Sequence, residues 1–309
     1  MKKIKVLIVD DSVLFREVFA RYLSQDPRIE VVGKASDPYE ARDMIIKYRP
    51  DVMTCDIEMP KMNGIEFVKR LMPQYPMPVI IISSVSGAVF DAMSAGAVDF
   101  VQKPENRSTA GMNIFAQELI SKIIVAAGAR VRARLSFADA APPKLQPAIN
   151  KQFDYKKIIA IGASTGGTEA LFSILKNLPP DIPGIVIVQH IPPVFSRMFA
   201  ERMDKDTSLA VTEAKGGEQI EPGKVLVAPG DKHMKVRRAG SMFLCEVFEG
   251  EKVSGHCPSV DVLFSSVAKV YGKNAVGVIL TGMGRDGAQG LLEIRQGGAV
   301  TIGQDEKTS

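Results

Sequence analysis

The sequence predicts an α/β protein made of two doubly wound halves, each a mostly parallel sheet covered by helices. Three observations carry this. At 309 residues the chain suits two domains of ordinary size better than one core. Short β-branched runs alternate with helix-period segments in both halves, the grammar of a parallel sheet covered on both faces. Between the halves, residues 130–152 lose all sustained periodicity and carry Arg130, Arg132, Arg134, Pro142, Pro143 and Pro147, the texture of a solvated linker.

In chain order, strands are predicted at IKVLIV (4–9), EVVGKA (30–35), DVMTCD (51–56), PVIIIS (78–83) and DFVQK (99–103). Amphipathic segments at 12–25 and 39–48 lie between them. After the break, KKIIAIGAS (156–164) leads into a helix from Gly167, and GIVIVQH (184–190) is a second apolar strand. KVLVAPG (224–230), HMKVRR (233–238) and MFLCEVF (242–248) read as shorter strands, some antiparallel. AVGVILTGM (275–283), the helix GAQGLLEIRQ (287–296) and the strand GAVTIG (298–303) complete the pattern. The predicted boundaries are 1–125, a linker at 126–152, and 153–309.

Bulk numbers exclude several classes. Hydrophobic content of 46% and charged content of 24% are globular values, and a formal charge of +4 is mild for this length. Neither nucleic acid nor an anionic membrane is indicated as a partner. Cys55, Cys245 and Cys257 form no CxxC pair, so a zinc site is not expected and a reducing compartment fits. The apolar run at the N-terminus ends in Asp10-Asp11, too short and too acidic for a signal peptide. No stretch reads as the roughly 20 apolar residues of a membrane helix. The expectation is a soluble cytoplasmic chain without membrane insertion.

Open parallel sheets gather chemistry at the carboxyl ends of their strands. In the first half Asp10, Asp11 and Asp56 fall there, with Ser83 and Lys103 at the ends of later strands. Three converging carboxylates need a compensating cation, and oxygen-only donors point to Mg²⁺. Ser83 and Lys103 would suit the oxygens of a phosphoryl group in transfer to a carboxylate. Each residue alone has a plainer role, since Asp11 or Ser12 could cap the next helix. Five such residues at successive strand ends make coincidence a poor account.

LIVDDS, DVMTCDIEMPKMNGIEF, IIISS and AGAVDFVQKP resemble the receiver domain of two-component response regulators over roughly residues 1–125. The resemblance implies a flavodoxin-like fold with Asp56 as phosphoacceptor and Asp10, Asp11 and Asp56 as the Mg²⁺ site. It also implies Ser83 and Lys103 as phosphoryl contacts, Phe100 as the family's switch aromatic, and a cis bond at Lys103-Pro104. SSVSGAVFDAMSAGA is about one helical turn shorter than the family pattern leads one to expect.

In the second half GASTGG fits G-x-S-x-G, where glycines permit a cramped turn exposing Ser164 at a helix N-terminus. The same loop suits an anion, and the motif alone leaves nucleophile and anion cradle even. A serine nucleophile needs a base. His190 closes the strand GIVIVQH at the same sheet edge. His233, in the charged turn DKHMK, reads as a solvated surface residue, and His256 as a substrate contact or loop cap. Asp286 follows the strand AVGVILTGM and suits the acid that fixes the imidazole, while also suiting a cap for the helix at 287. Asp261 and Asp231 are weaker rivals. Thr165 N–H and Met283 N–H are the expected oxyanion donors.

IGASTGG, VIVQHIPPVFS, GHCPSVDVLFSSVA and GVILTGMGRDGAQGL resemble the catalytic domain of chemotaxis protein-glutamate methylesterases, the CheB family. With the receiver attached, the match covers nearly the whole chain. It implies Ser164, His190 and Asp286 as the triad of a serine hydrolase needing no cofactor for its ester chemistry. Methyl-accepting chemotaxis receptors are the implied substrates, with glutamine deamidation as a second activity. A chemotaxis histidine kinase is the implied phosphodonor, and a monomer the expected state. Related chains continue beyond GQDE with a further strand and helix, so this chain reads as short at its C-terminus.

Overall fold

The computed structural model describes residues 2–84, 87–104, 108–128 and 156–305. They fall into two compact units on either side of position 140.

The first unit has a five-stranded parallel sheet of β1 (Ile4–Val9), β2 (Ile29–Ala35), β3 (Val52–Asp56), β4 (Val79–Ser83) and β5 (Asp99–Gln102), in the order β2-β1-β3-β4-β5. This is the flavodoxin-like order, whose switch point between β1 and β3 opens a crevice at the strands' carboxyl ends. Helices α1 (Val13–Leu23), α2 (Pro38–Tyr48), α3 (Gly64–Leu71), α4 (Val89–Ser94) and α5 (Thr109–Gly128) connect and follow the strands. Their starts are written in side chains. Ser12 caps α1, and Asp37 accepts the N–H groups of Tyr39 and Glu40 with Pro38 opening α2. Asn63 accepts Glu66 N–H at 2.8 Å to start α3.

Two expectations need correction here. Helix α5 is long and apolar enough, by length and composition, to cross a membrane. Its inward stripe of Phe115, Leu119 and Ile123 packs with Phe19, Ile8 and Val52, and the Phe19 and Phe115 rings stack at 4.8 Å. The apolar stripe that lengthens its hydropathic run is thus a core face. Among the described residues the one cis peptide precedes Pro258, not Pro104. Lys103 N–H donates to Ser83 O at 2.9 Å, extending the β4–β5 ladder by one residue. The short segment before β5 does yield a short helix, since α4 has six residues. Helix α5 continues past position 125 to Gly128; the rest of the predicted linker, 129–152, lies outside the described residues.

The second unit has a six-stranded parallel sheet and a hairpin. The sheet comprises β6 (Ile158–Ala163), β7 (Gly184–Gln189), β8 (Ala210–Glu213), β9 (Lys224–Val227), β12 (Ala275–Ile279) and β13 (Val300–Gly303), ordered β13-β12-β6-β7-β9-β8. Strands β10 (His233–Ala239) and β11 (Met242–Phe248) form the antiparallel hairpin. Helices are α6 (Gly167–Leu175), α7 (Pro193–Asp206), α8 (Val260–Tyr271) and α9 (Ala288–Gln296). Leu263, Phe264 and Val267 of α8 fill the core with Met234, Val236 and Cys245 of the hairpin and Ala160 and Val186 of the sheet. Strand β8 has no counterpart in the sequence reading: of its four residues only Val211 is buried, so its apolar pattern is too brief to register.

Glycine makes two close approaches that place functional residues. A Cβ at Gly64 would lie 2.0 Å from Asp56 O, so α3 abuts the carboxyl end of β3 only with glycine there. A Cβ at Gly162 would meet Val260 Cγ1 at 2.3 Å, so α8 reaches the end of β6 on the same condition. Replacing Gly64 by Ala forces backbone apart. It is expected to destabilise the first unit by about 1–3 kcal/mol, read as a lowered transition in scanning calorimetry of the full chain.

Candidate active site and carboxylate cluster

In the first unit, the ends of β1 and β3 bring Asp10, Asp11 and Asp56 together, with one carboxylate oxygen of each within 4.8 Å of the others. Asp10 and Asp56 are buried, whereas Asp11 is exposed. Lys103 Nζ lies 2.5 Å from Asp56 Oδ2 and 2.9 Å from Asp10 Oδ2, the latter as an ion pair without hydrogen-bond geometry. Ser83 is buried at the end of β4, the strand beside β3. Burial raises the Asp56 carboxyl above its usual range, against the opposing pull of Lys103. Burial works against the charge on Lys103, yet the pull of the Asp56 and Asp10 carboxylates outweighs it and raises its pKa. Phe100 is buried in β5, edge-on to Phe90 at 6.5 Å and beneath Lys122 Nζ. The five predicted residues therefore gather at one crevice. Three close carboxylates with oxygen-only donors fit a hard divalent cation such as Mg²⁺.

In the second unit the chain leaves β6 on a tight turn into α6, with Gly166 at φ 75°. Ser164 is pinned at both backbone ends. Its N–H donates to Thr281 O at 3.0 Å, and its carbonyl accepts Gly167 N–H at 2.7 Å and Gln189 Nε2 at 2.9 Å. His190, just beyond β7, has Nδ1 3.2 Å from Ser164 Oγ and Nε2 2.8 Å from Asp286 Oδ2. With Asp286 ionised, Nε2 carries the proton and Nδ1 turns its lone pair to the serine hydroxyl.

Asp286 does not cap α9, whose start at Gly287 has no side-chain cap. It sits instead at the N-terminus of α8. Oδ1 accepts Ser259 Oγ at 2.7 Å and Asp261 N–H at 3.0 Å, and Oδ2 accepts Val260 N–H at 2.8 Å. Burial alone would raise its pKa, but the hydrogen bonds from His190, Ser259, Asp261 and Val260 prevail and lower it to about 2.

The oxyanion candidates stand on the two loops nearest Ser164. Gly282 is pressed so close that a Cβ there would lie 2.6 Å from Ser164 Cβ, which brings the Gly282-Met283 turn beside the serine. Neither Thr165 N–H nor Met283 N–H is taken by a backbone carbonyl among the described residues.

His233 is not a solvated surface residue. It is 2% exposed, donates Nε2–H to Glu251 O at 2.8 Å and accepts Ser259 N–H at Nδ1 at 3.2 Å. A charged turn in sequence becomes the first residue of a buried hairpin strand, and the ring supports Ser259, which in turn holds Asp286. Asp261 serves α9, accepting Gly290 N–H at 2.8 Å. Gln189 and Ser259 went unread as site residues. Ser259 had a signal, a serine immediately before an apolar helical run; a buried glutamine ending a strand had none. His256 stacks on His190 with ring centroids 3.7 Å apart.

Because the Asp286 pKa is lowered, the stability it contributes is full above the unfolded carboxyl value near 4 and is lost as pH falls towards about 2. Asp286→Asn is therefore expected to be less stable than the parent at pH 7, with the difference shrinking between pH 4 and pH 2 in urea titrations.

Comparison with known proteins follows the same division. Residues 159–309 match the CheB methylesterase family, and residues 6–111 match the response regulator receiver domain. The chain is 55% identical, over 99% of its length and 88% of the relative's, to a protein-glutamate methylesterase/protein-glutamine glutaminase of Syntrophomonas wolfei. It is 47% identical, over 99% of its length and 87% of the relative's, to one of the same name from Pseudomonas aeruginosa. Among solved structures, the CheB methylesterase catalytic domain of Thermotoga maritima is 38% identical, covering 49% of this chain and 81% of that one, with a TM-score of 0.48.

Proposed function

The chain belongs to the CheB methylesterase family, and on that premise we propose that its two sites form a phosphorylation-controlled serine hydrolase. It is a protein-glutamate methylesterase and protein-glutamine glutaminase with a response-regulator receiver domain. The observation that supports the chemistry is the unbroken chain Ser164 Oγ, His190 Nδ1, His190 Nε2, Asp286 Oδ2 at 3.2 and 2.8 Å.

Ser164 Oγ attacks the side-chain carbonyl of a glutamate methyl ester while His190 Nδ1 takes its proton. Asp286 keeps the ring in the Nε2–H tautomer and stabilises the imidazolium. Thr165 N–H and Met283 N–H receive the charge that develops on the carbonyl oxygen. His190 then returns the proton to the departing methoxide, releasing methanol. Water, deprotonated by the same nitrogen, cleaves the acyl-serine to leave glutamate. A glutamine side chain takes the same path with ammonia as leaving group.

In the receiver, Asp56 is the phosphoacceptor. Asp10, Asp11 and Asp56 would hold Mg²⁺, which supplies positive charge to the phosphoryl oxygens when bound. Lys103 and Ser83 would contact the same oxygens. Lys103 already bridges Asp10 and Asp56, so phosphorylation exchanges a carboxylate partner for a phosphoryl one. We assign residues 1–125 to the receiver and 153–309 to the esterase, with chemotaxis receptors as substrate and a histidine kinase as phosphodonor, acting as a cytoplasmic monomer.

Methanol release from methylated receptors tests both halves. Ser164→Ala should lower kcat by at least about 10³-fold; full activity would rule out Ser164 as nucleophile. Acetyl phosphate with Mg²⁺ should raise the parent's rate and leave Asp56→Asn unchanged. A response by that variant would rule out Asp56 as the switch.

A further inference from the structure

The mechanism leaves His256 without a task, yet its ring lies against the catalytic base. The two imidazoles are parallel to within 5°, with centroids 3.7 Å apart. The mount beneath His256 is rigid. Val253 and His256 exchange two backbone hydrogen bonds, each 3.0 Å, across a turn whose central residues are Ser254 (φ 53°) and Gly255 (φ 86°). Two consecutive positive φ values are what a type I′ turn requires, and a serine in that region carries strain that the surroundings must hold. The surroundings are on hand, since Ser254 Oγ donates to Asp261 Oδ2 at 3.2 Å. Asp261 also donates its N–H to Asp286, so the mount of His256 and the anchor of Asp286 meet at the first turn of α8. Among the described residues the His256 ring makes no hydrogen bond, so its contact with His190 is through its face.

We propose that His256 is a positioning residue for the esterase reaction, fixing the plane of His190 as a neutral stacked ring so that Nδ1 meets Ser164 and Nε2 meets Asp286 through both proton transfers. The inference rests on His190 acting as base towards Ser164. Without a neighbour on its face, an imidazole held by one 2.8 Å bond to Asp286 is free to tilt about that bond, carrying Nδ1 out of line with Ser164 Oγ. The stack must be neutral, because His190 becomes an imidazolium in each half-reaction and a second positive ring would oppose it. The titratable and charged groups facing His256 are His190 beyond β7, Asp286 before α9 and Lys252 on its own loop. Burial first, then His190 and Lys252, lower the His256 pKa, with Asp286 pulling the other way.

The test compares His256→Ala and His256→Phe by two readouts: the rate at which a fluorophosphonate labels Ser164, and kcat and KM for methanol release between pH 5 and pH 9. His256→Ala should slow labelling and kcat by about 10- to 100-fold with KM unchanged. His256→Phe keeps a flat ring that cannot ionise. It should hold most of the parent's rate at pH 8 and fall less steeply than the parent at acid pH, since the ring against His190 can no longer take a proton. Equal labelling of the parent and His256→Ala overturns the proposal, as does a rise in KM alone, which marks a substrate contact. A His256→Phe chain as slow as His256→Ala also overturns it, because stacking would then not be the working contact. Failure of the parent itself to be labelled overturns a different claim, the assignment of Ser164 as nucleophile.

Discussion

A single carboxylate organises the catalytic end of the second unit. Asp286 receives hydrogen bonds from His190, Ser259, Val260 and Asp261, three of them from the start of α8. A buried carboxylate surrounded by donors is held both in ionisation state and in direction. Everything the serine needs follows from that fixed point. The tautomer of His190 is set by Asp286, and the lone pair offered to Ser164 is set by the tautomer. The supports of Asp286 are themselves supported, since Ser259 N–H is bound by His233 and Asp261 is bonded to the turn that carries His256. The start of helix α8 thus fixes Asp286, and through it His190, while supplying none of the three side chains of the proposed triad.

The two units solve different chemical problems with the same geometry. In each, the strand order reverses beside a central strand, β1 in one and β6 in the other, and the crevice at the carboxyl ends collects the functional groups. The electrostatics then diverge. In the first unit burial raises the Asp56 carboxyl against the pull of Lys103, a balance that incoming charge can alter. In the second unit the hydrogen bonds overcome burial, and Asp286 stays charged. The carboxylate of the first unit is thus left with few donors, whereas that of the second is surrounded by them.

The fold was legible because buried parallel strands announce themselves as apolar runs, and because the reactive residues stand next to those runs in the chain. Ser164, His190, Asp10 and Lys103 each follow their strand directly and Asp56 ends its own, so placing the strand placed the side chain. Legibility failed where position depends on a partner distant in sequence. His233 looks solvated beside Asp231, Lys232 and Lys235, yet pairing with Phe248 across the hairpin buries it. Asp286 precedes α9 and suits its cap, but its acceptor capacity is taken up by α8, some 25 residues earlier in the chain. Length and composition alone would suit helix α5 to a membrane, because helical hydropathy does not record which face meets a core.

Val260 stands between two glycines from opposite ends of the site. A Cβ at Gly162 would lie 2.3 Å from its Cγ1, and one at Gly287 would lie 2.6 Å from the same atom. One glycine is the penultimate residue of the strand that leads to Ser164; the other follows Asp286. One isopropyl group is therefore packed between the backbone beside Ser164 and the backbone beside Asp286. Positions 162, 260 and 287 form a steric set, in which a side chain at either glycine needs a smaller residue at 260 to make room.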